Sequence, residues 1–174
     1  YPNYYKKINV DDTISFLNFC SLINIDRVIF LSSDEAFMPH NNFGKQKEEV
    51  EKKIFSNISW KKRTIVQVLR FPFLLQSRGS VWHIFYNQAK HNLPLTVADK
   101  NSSKHAASFD EFLNAWQQFE SHDLPNGKYR LKIGKEISIY KLAQDICQEQ
   151  NSKSKICITG VASGNVIKEE QIPN

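Results

Sequence analysis

The sequence predicts an α/β fold in which buried parallel strands alternate with crossover helices. Two short apolar runs, Arg27–Leu31 and residues 64–69, are typical of strands that are covered on both faces of a sheet. Between them, residues 44–58 have the apolar spacing of a helix. Strand and helix patterns continue to alternate toward the end of the chain, which indicates a parallel sheet with helical crossovers.

The remaining elements follow from local signals. Asp11 and Asp12 place negative charge where a helix begins, and we predict that helix to about residue 21. Ser108 and Glu111 have the spacing of a capping box at the start of another helix. Its apolar face comprises Phe112, Ala115, Trp116 and Phe119. Further helices are predicted at residues 80–91 and 138–148, and further strands at residues 95–97, 129–133 and 156–159.

The composition indicates an ordinary globular protein. Of the 174 residues, 41% are hydrophobic and 24% are charged. The net charge of +5 is mild and accompanies no recognised nucleic-acid motif, so we expect no nucleic-acid partner. No apolar run reaches the ~18 residues of a membrane helix, and no signal peptide opens the chain. The three scattered cysteines indicate neither a disulfide framework nor a metal site, and we expect a cytoplasmic protein.

Polar residues follow both central strands at their carboxyl ends. Ser32, Ser33, Asp34 and Glu35 come directly after the first strand, and an irregular segment follows the second. Ligands bind at the carboxyl ends of strands in open parallel sheets. We therefore expect the functional site at this edge.

The residues at this edge also carry a family resemblance. The segment SSDEAFMPHNNFGKQK, residues 32–47, resembles the active-site segment of bacterial UDP-N-acetylglucosamine 4,6-dehydratases and related 5-epimerases. These are extended short-chain dehydrogenases/reductases of polysaccharide biosynthesis. Their usual form is STDKA, then P-x-N, then Y or M before GxxK. Residues 69–71, 76–81, 94–97 and 108–111 resemble later motifs of that family, as do Gly160, Gly164 and Glu169-Glu170.

The resemblance implies a fold, a cofactor and a substrate. The fold is the carboxy-terminal part of a Rossmann-like parallel sheet with a small substrate-binding α/β region. Residues 1–78 would be the latter part of the dinucleotide-binding domain, and residues 79–174 the nucleotide-sugar-binding region. The cofactor is NAD or NADP, the substrate a UDP- or dTDP-sugar, and family members commonly form homo-oligomers. In this family a nicotinamide takes hydride from the sugar, and protein groups transfer the protons.

The resemblance also implies catalytic residues. The candidates are Ser33, Asp34, Glu35 and Lys47. An aspartate–glutamate pair resembles dTDP-glucose 4,6-dehydratases, in which the aspartate is the acid and the glutamate the base; the alternative is a polar loop without proton transfer. Lys47 occupies the place of the lysine that holds the nicotinamide ribose, or it is a solvated helix lysine. Phe43 stands at the usual tyrosine or methionine position and has no hydroxyl to accept a proton.

The substrate side of the resemblance is less complete. Arg78 is the best candidate for a phosphate or uridine contact, with a surface salt bridge as the alternative. Lys104 replaces an arginine, which keeps the charge but not the bidentate fork. Phe73 replaces an asparagine, and Ala162 with Ser163 replaces Arg-Pro. The candidate substrate-binding residues are Asn41, Arg70, Arg78 and Lys104.

Two further features shape the expected function. The first glycine is Gly44, so no GxxGxxG turn precedes it to cradle a pyrophosphate, and we expect the chain to begin midway through a longer sheet and not to bind dinucleotide by itself. Because extended family members commonly associate through helices beside the active-site segment, the helix at residues 44–58 is either an oligomer contact or a solvated face. It is rich in charges, including Glu48, Glu49 and Glu51, and we interpret it as a solvated face.

Two functions remain open. The first is a nucleotide-sugar dehydratase or epimerase, supported by Asp34, Lys47 and Arg78. The second is a catalytically degenerate binding or scaffolding module derived from that family, supported by Phe43 and by the missing glycine-rich turn.

Overall fold

The computed structural model describes residues 2–160, with the side chains of residues 4–160. Contacts divide the chain into two compact units. The first comprises the residues up to Phe71 together with Ser121–Leu131, and the second comprises Pro72–Glu120 together with the residues from Lys132 onward. The sequence analysis divides the chain into a dinucleotide-binding part, residues 1–78, and a nucleotide-sugar-binding part, residues 79–174. That division by ligand stays a prediction. Ala162, Ser163, Gly164 and Glu169-Glu170 lie outside the described residues.

The first unit contains a three-stranded parallel sheet. Strand β1 (Arg27–Leu31) pairs with β2 (Ile65–Arg70), and β2 pairs with β6 (Gly127–Arg130). The predicted bounds of β1 are confirmed at both ends, but its residues are only half-buried or exposed, so the prediction of a strand covered on both faces is wrong for β1. Strand β2 is displaced by one residue from its predicted bounds. Four of the six β2 residues are buried, as expected for an apolar strand in the middle of a sheet.

Helices cover this sheet with apolar faces. Helix α1 (Pro2–Lys6) continues through a π-helical turn (Lys7–Asp12) into α2 (Thr13–Leu22), so the predicted helix begins earlier than Asp11. Helix α3 (Asn42–Ser56) follows β1. The core of the unit joins these helices to β2 through Val10, Leu17, Val50, Ile54, Ile58, Val66 and Val68.

The start of α3 is fixed by two neighbouring residues. The Asn41 side chain accepts a hydrogen bond from the Gly44 amide at 2.8 Å, which caps the helix. Gly44 packs so closely against the Glu35 carbonyl oxygen that a Cβ atom would collide with it. Glycine at position 44 therefore allows α3 to approach the loop after β1.

The described residues of the second unit form two small sheets. Strand β3 (Phe73–Leu74) is parallel to β5 (Ser103–Ala107), β5 is antiparallel to β7 (Lys135–Ser138), and β4 (Leu95–Val97) is parallel to β8 (Ile156–Ile158). The prediction of an entirely parallel arrangement is wrong at the β5–β7 pair. Because β5 and β7 are short and mostly polar, they lack the apolar run that identifies a strand in sequence.

The helices of the second unit begin one residue after serines at their predicted starts, and each of these serines caps its helix. Ser80 and Ser138 accept hydrogen bonds from amides in the first turns of α4 (Val81–Lys90) and α6 (Ile139–Glu149), each at 3.2 Å. Before α5 (Phe109–Ser121), Ser108 Oγ accepts from the Glu111 amide at 3.1 Å and the Ser108 amide donates to Glu111 at 2.7 Å, which confirms the capping box. Within residues 2–160, every helix is too short or too polar to cross a membrane.

Candidate active site

The loop after β1 forms the edge where the sequence predicts the site. The Ser32 amide donates to Leu69 O at 2.8 Å and the Asp34 amide to Phe71 O at 3.1 Å, so pairing with the second strand continues beyond β1. The chain then makes a 3-10 turn over Asp34–Ala36, and the Ser33 hydroxyl caps it by accepting from the Glu35 amide at 3.2 Å. The Ser33 O–H can still donate to a ligand, because a hydroxyl has one donor and two acceptor positions.

Asp34 is held by an arginine from the neighbouring part of the sheet. Its two carboxylate oxygens accept from Nε and one terminal nitrogen of Arg130, each at 3.0 Å. The side chains are 11% and 23% exposed, respectively. This bidentate geometry is the strong form of the arginine–carboxylate contact.

Glu35 is oriented by Asn41. The Asn41 amide nitrogen donates to Glu35 Oε2 at 2.7 Å while its carbonyl oxygen caps α3. One asparagine therefore links the second carboxylate to the start of the helix that carries Lys47. The role of Asn41 in substrate binding stays a prediction.

Glu51 is the centre of a buried ion cluster. It has no exposed surface, and it accepts from Ser32 Oγ at 2.5 Å and from Arg70 at 2.9 Å and 2.5 Å, with Lys128 Nζ at 3.3 Å. Burial by itself would raise the pKa of Glu51, but the hydrogen bonds from Arg70 and Ser32 and the nearby positive charges lower it below its ordinary value. The interpretation of this helix as a solvated face is wrong at Glu51, which faces the strand ends.

Lys47 lies one helical turn before Glu51, at the same edge of the sheet. Its Nζ donates to Leu31 O at 3.0 Å and lies 4.9 Å and 5.7 Å from the ring centres of Phe30 and Phe43. Burial lowers the pKa of Lys47, and the charge of Glu51 opposes this change. The amine therefore lies between two rings and a carbonyl oxygen, and whether Lys47 holds a nicotinamide ribose stays a prediction.

The structure brings together only part of the predicted site. Ser33, Asp34, Glu35, Asn41, Phe43, Lys47 and Arg70 all belong to the first unit. Arg78 and Lys104 belong to the second, where Arg78 is exposed between β3 and α4, and Lys104 Nζ lies 5.8 Å from the Phe73 ring centre. Arg70 contacts Glu51, and its role toward substrate stays a prediction, as do the proposed roles of the other residues.

Sequence reasoning missed three charged residues of this edge: Glu51, Lys128 and Arg130. Glu51 was hidden in a charge-rich helix, although it follows Lys47 by four residues and so shares its face. Lys128 and Arg130 are two residues apart in β6, and both are far in sequence from the loop after β1. Only the parallel pairing of β6 with β2 places them there.

Lys47 could hold the ribose at the nicotinamide end of a dinucleotide. Lys47 has three N–H donors, and after its bond to Leu31 O it retains donors for ribose hydroxyls at the carboxyl edge of the sheet. A pyrophosphate requires a glycine-rich turn at a helix amino terminus. The first glycine of the chain instead packs against Glu35. The fit therefore holds for the nicotinamide ribose, and the chain before Gly44 has no matching turn for the pyrophosphate.

The fold and this edge define an α/β protein with a charged site at the carboxyl ends of parallel strands. A family model described as "Polysaccharide biosynthesis protein" matches residues 1–174, and the chain belongs to that family. The family resemblance found in the sequence is confirmed.

Individual relatives are identical to this chain at about a quarter of the aligned residues. A UDP-glucose 4-epimerase of Rickettsia bellii is 28% identical over 170 residues, which cover 94% of this chain and 48% of the relative. The capsular polysaccharide biosynthesis protein CapD of Staphylococcus aureus is 26% identical over 149 residues, which cover 84% of this chain and 25% of CapD. The chain thus spans about half the length of the first relative and a quarter of the second.

Solved structures agree on the fold. The chain is similar to DesIV, a dTDP-glucose 4,6-dehydratase from Streptomyces venezuelae with NAD bound, with a TM-score of 0.78 and 14% identity. The match covers 96% of this chain and 57% of DesIV. At this identity the likeness concerns the fold alone, and it confirms the predicted Rossmann-like α/β class.

The Glu51 cluster generates a stability prediction. Removing one member of a buried ion pair leaves the other charged group without compensation, so Glu51→Gln should lower the free energy of unfolding by about 3 kcal/mol at neutral pH. Because the folded pKa of Glu51 is lowered, its contribution is present above the unfolded pKa and is lost as pH falls through the folded value. Urea unfolding should therefore show the wild-type advantage shrinking below about pH 4.

The matched control is Glu49→Gln on the same helix. Glu49 pairs with Lys53 at 2.7 Å across a partly exposed surface, so its loss should cost less than about 0.5 kcal/mol. Equal effects of the two substitutions would contradict the assignment of Glu51 as the buried centre.

Proposed function

We propose that this protein is a nucleotide-sugar 4,6-dehydratase or epimerase of bacterial surface polysaccharide biosynthesis that depends on NAD or NADP. The observation that carries the proposal is the grouping of Asp34, Glu35 and Lys47 at the carboxyl edge of the β1–β2 pair, in a chain that the family model matches throughout. Two carboxylates and an amine are groups that can position a sugar and move its protons.

The bound dinucleotide would supply the hydride transfer. In this proposal Glu35, directed by Asn41 at 2.7 Å, removes the proton from the carbon beside the oxidised position. Ser33 donates its hydroxyl hydrogen to a sugar oxygen, and Lys47 holds the nicotinamide ribose. Phe43 lacks a proton-accepting hydroxyl, so the proton that the sugar hydroxyl loses on oxidation would pass to water at this end of the site.

The proposed substrate is a UDP- or dTDP-sugar. Diphosphates carry negative charge, and the net charge of +5 favours their approach. Arg78 and Lys104 in the second unit are the proposed contacts, since an exposed guanidinium and an ammonium both bind phosphate oxygens.

A second function, a non-catalytic binding or scaffolding module, is favoured by one observation. The side chain at position 43 is a phenyl ring that contacts Lys47 and cannot accept a proton. Such a module would retain the fold and the buried ion cluster without turning over a sugar.

We assign a homo-oligomer to the protein on the basis of an apolar helix surface. Helix α2 buries Leu17 and Cys20 on one side, yet large apolar side chains remain exposed on the rest of the α1–α2 segment. They are Tyr4, Tyr5, Ile8, Phe16, Phe19, Leu22 and Ile23. A strip of this kind is typical of a protein–protein interface, and a second copy of the chain offers a matching strip.

Sedimentation velocity tests the oligomer. The wild-type protein should sediment as a dimer or larger at micromolar concentration, and Phe19→Glu should shift it toward the monomer, because a charge would be buried in the contact. Phe109→Glu, on exposed α5, is the control and should leave the mass unchanged. A wild-type monomer would rule out this assignment.

The cytoplasm is the proposed location. The three cysteines are free, which agrees with a reducing compartment. Fractionation of the producing cells tests the location, and recovery outside the cytoplasm would oppose it.

The enzymatic proposal predicts the result of Glu35→Gln. In the gene product at its full encoded length, supplied with NAD or NADP and a UDP- or dTDP-sugar, this change should lower product formation at least about 100-fold, because glutamine cannot take a proton. The product is measured chromatographically as a 4-keto sugar or as the epimer.

Glu49→Gln is the control and should retain the wild-type rate. Unchanged turnover by Glu35→Gln would remove Glu35 from the mechanism. Absence of turnover by the wild type with every sugar tested would favour the scaffolding module.

A further inference from the structure

Arg130 is a charged residue of this edge that neither the sequence motifs nor the proposed function uses. It is the last residue of β6 and lies in register beside Arg70 of β2. The next amide, that of Leu131, donates to Arg70 O at 2.9 Å, which fixes the strand end. Parallel pairing therefore places two arginines side by side at the carboxyl edge.

The two arginines have separate carboxylates. Arg70 binds Glu51 through Nε at 2.9 Å and through one terminal nitrogen, and Arg130 binds Asp34 through the same two positions. In each pair, two parallel hydrogen bonds to one carboxylate fix the plane of the guanidinium. Because Arg70 already binds Glu51, the arginine that forms the bidentate contact with Asp34 is Arg130.

This contact limits what Asp34 can do. Both of its oxygens accept from the guanidinium of Arg130, each at 3.0 Å. An ionised carboxylate has about four acceptor positions, so two remain for a ligand after the fork is formed. Asp34 can therefore accept a sugar hydroxyl while Arg130 stays in place.

We propose that Arg130 is a positioning residue that reserves Asp34 as a hydrogen-bond acceptor for the sugar, so that Asp34 orients the substrate and does not supply a proton. This inference rests on the proposed function and replaces the acid role that the family resemblance implies for Asp34. The elimination still balances, because a proton that Glu35 takes from carbon can be returned by the same carboxyl group to the departing hydroxyl, which leaves as water. An epimerisation needs no proton from Asp34 either.

A salt bridge without a role in the reaction is the rival explanation. Exposed pairs of this type contribute little. The Asp34–Arg130 pair differs because it is bidentate, largely buried, and within the loop that also carries Ser33 and Glu35.

A double-mutant cycle in the full-length gene product tests the inference. Asp34→Asn and Arg130→Met should each lower kcat about tenfold with KM changed less than about twofold, because the bound sugar is misoriented rather than lost. The double variant should be no slower than either single variant, since both remove one positioning unit. Asp123→Asn and Arg63→Met, which remove the same charges at exposed positions, should leave both constants unchanged.

Two results would overturn the inference. The first is a loss of more than about 100-fold for Asp34→Asn beside near-normal Arg130→Met, because Asp34 would then act as an acid by itself. The second is a double variant whose losses multiply, because the two residues would then act independently.

The free energies of unfolding of the wild type, Asp34→Asn, Arg130→Met and the double variant separate this inference from the proposed function. Non-additive effects of Asp34→Asn and Arg130→Met support the pairing in solution, and additive effects overturn the inference whether or not any sugar is turned over. Failure of the wild type to turn over nucleotide sugars would instead overturn the proposed function.

Discussion

The buried carboxylate of Glu51 is the interaction on which the site edge depends. It joins α3 to the three described strands of the first unit, through Ser32 after β1, Arg70 at the end of β2 and Lys128 within β6. Taking a charge out of water costs several kcal/mol, and only a complete set of partners offsets that cost. The strand ends, and the loop that follows β1, are therefore held in one arrangement.

Every candidate catalytic group is attached to this frame. Lys47 lies one turn before Glu51 on α3, and Ser33, Asp34 and Glu35 follow Ser32 in sequence. Their nearest partners differ in kind: Asp34 has a guanidinium, Glu35 an amide, and Lys47 a carbonyl oxygen with two aromatic rings. The fold thus gives each group a distinct environment, which is how neighbouring titratable residues acquire different roles.

Sequence reasoning succeeded where the signal is local. The bounds of β1, the capping box at Ser108 and the placement of polar residues after β1 were predicted correctly, because each depends on neighbouring residues, whereas the expected burial of β1 on both faces was not observed. The antiparallel β5–β7 pair, the burial of Glu51 and the contact of Arg130 with Asp34 were not predicted. Each depends on residues brought together by the sheet from distant parts of the chain: Arg130 is 96 residues from Asp34.

Hydrogen exchange measures the central role of Glu51 most directly. The amides of Ser32, Asp34 and Leu131 bond across the strand ends to Leu69 O, Phe71 O and Arg70 O. In Glu51→Gln these three amides should exchange at least about tenfold faster, while buried helix amides of the second unit, such as that of Ala143, should change much less. Unchanged protection at the strand ends, or an equal loss in both units, would contradict the account.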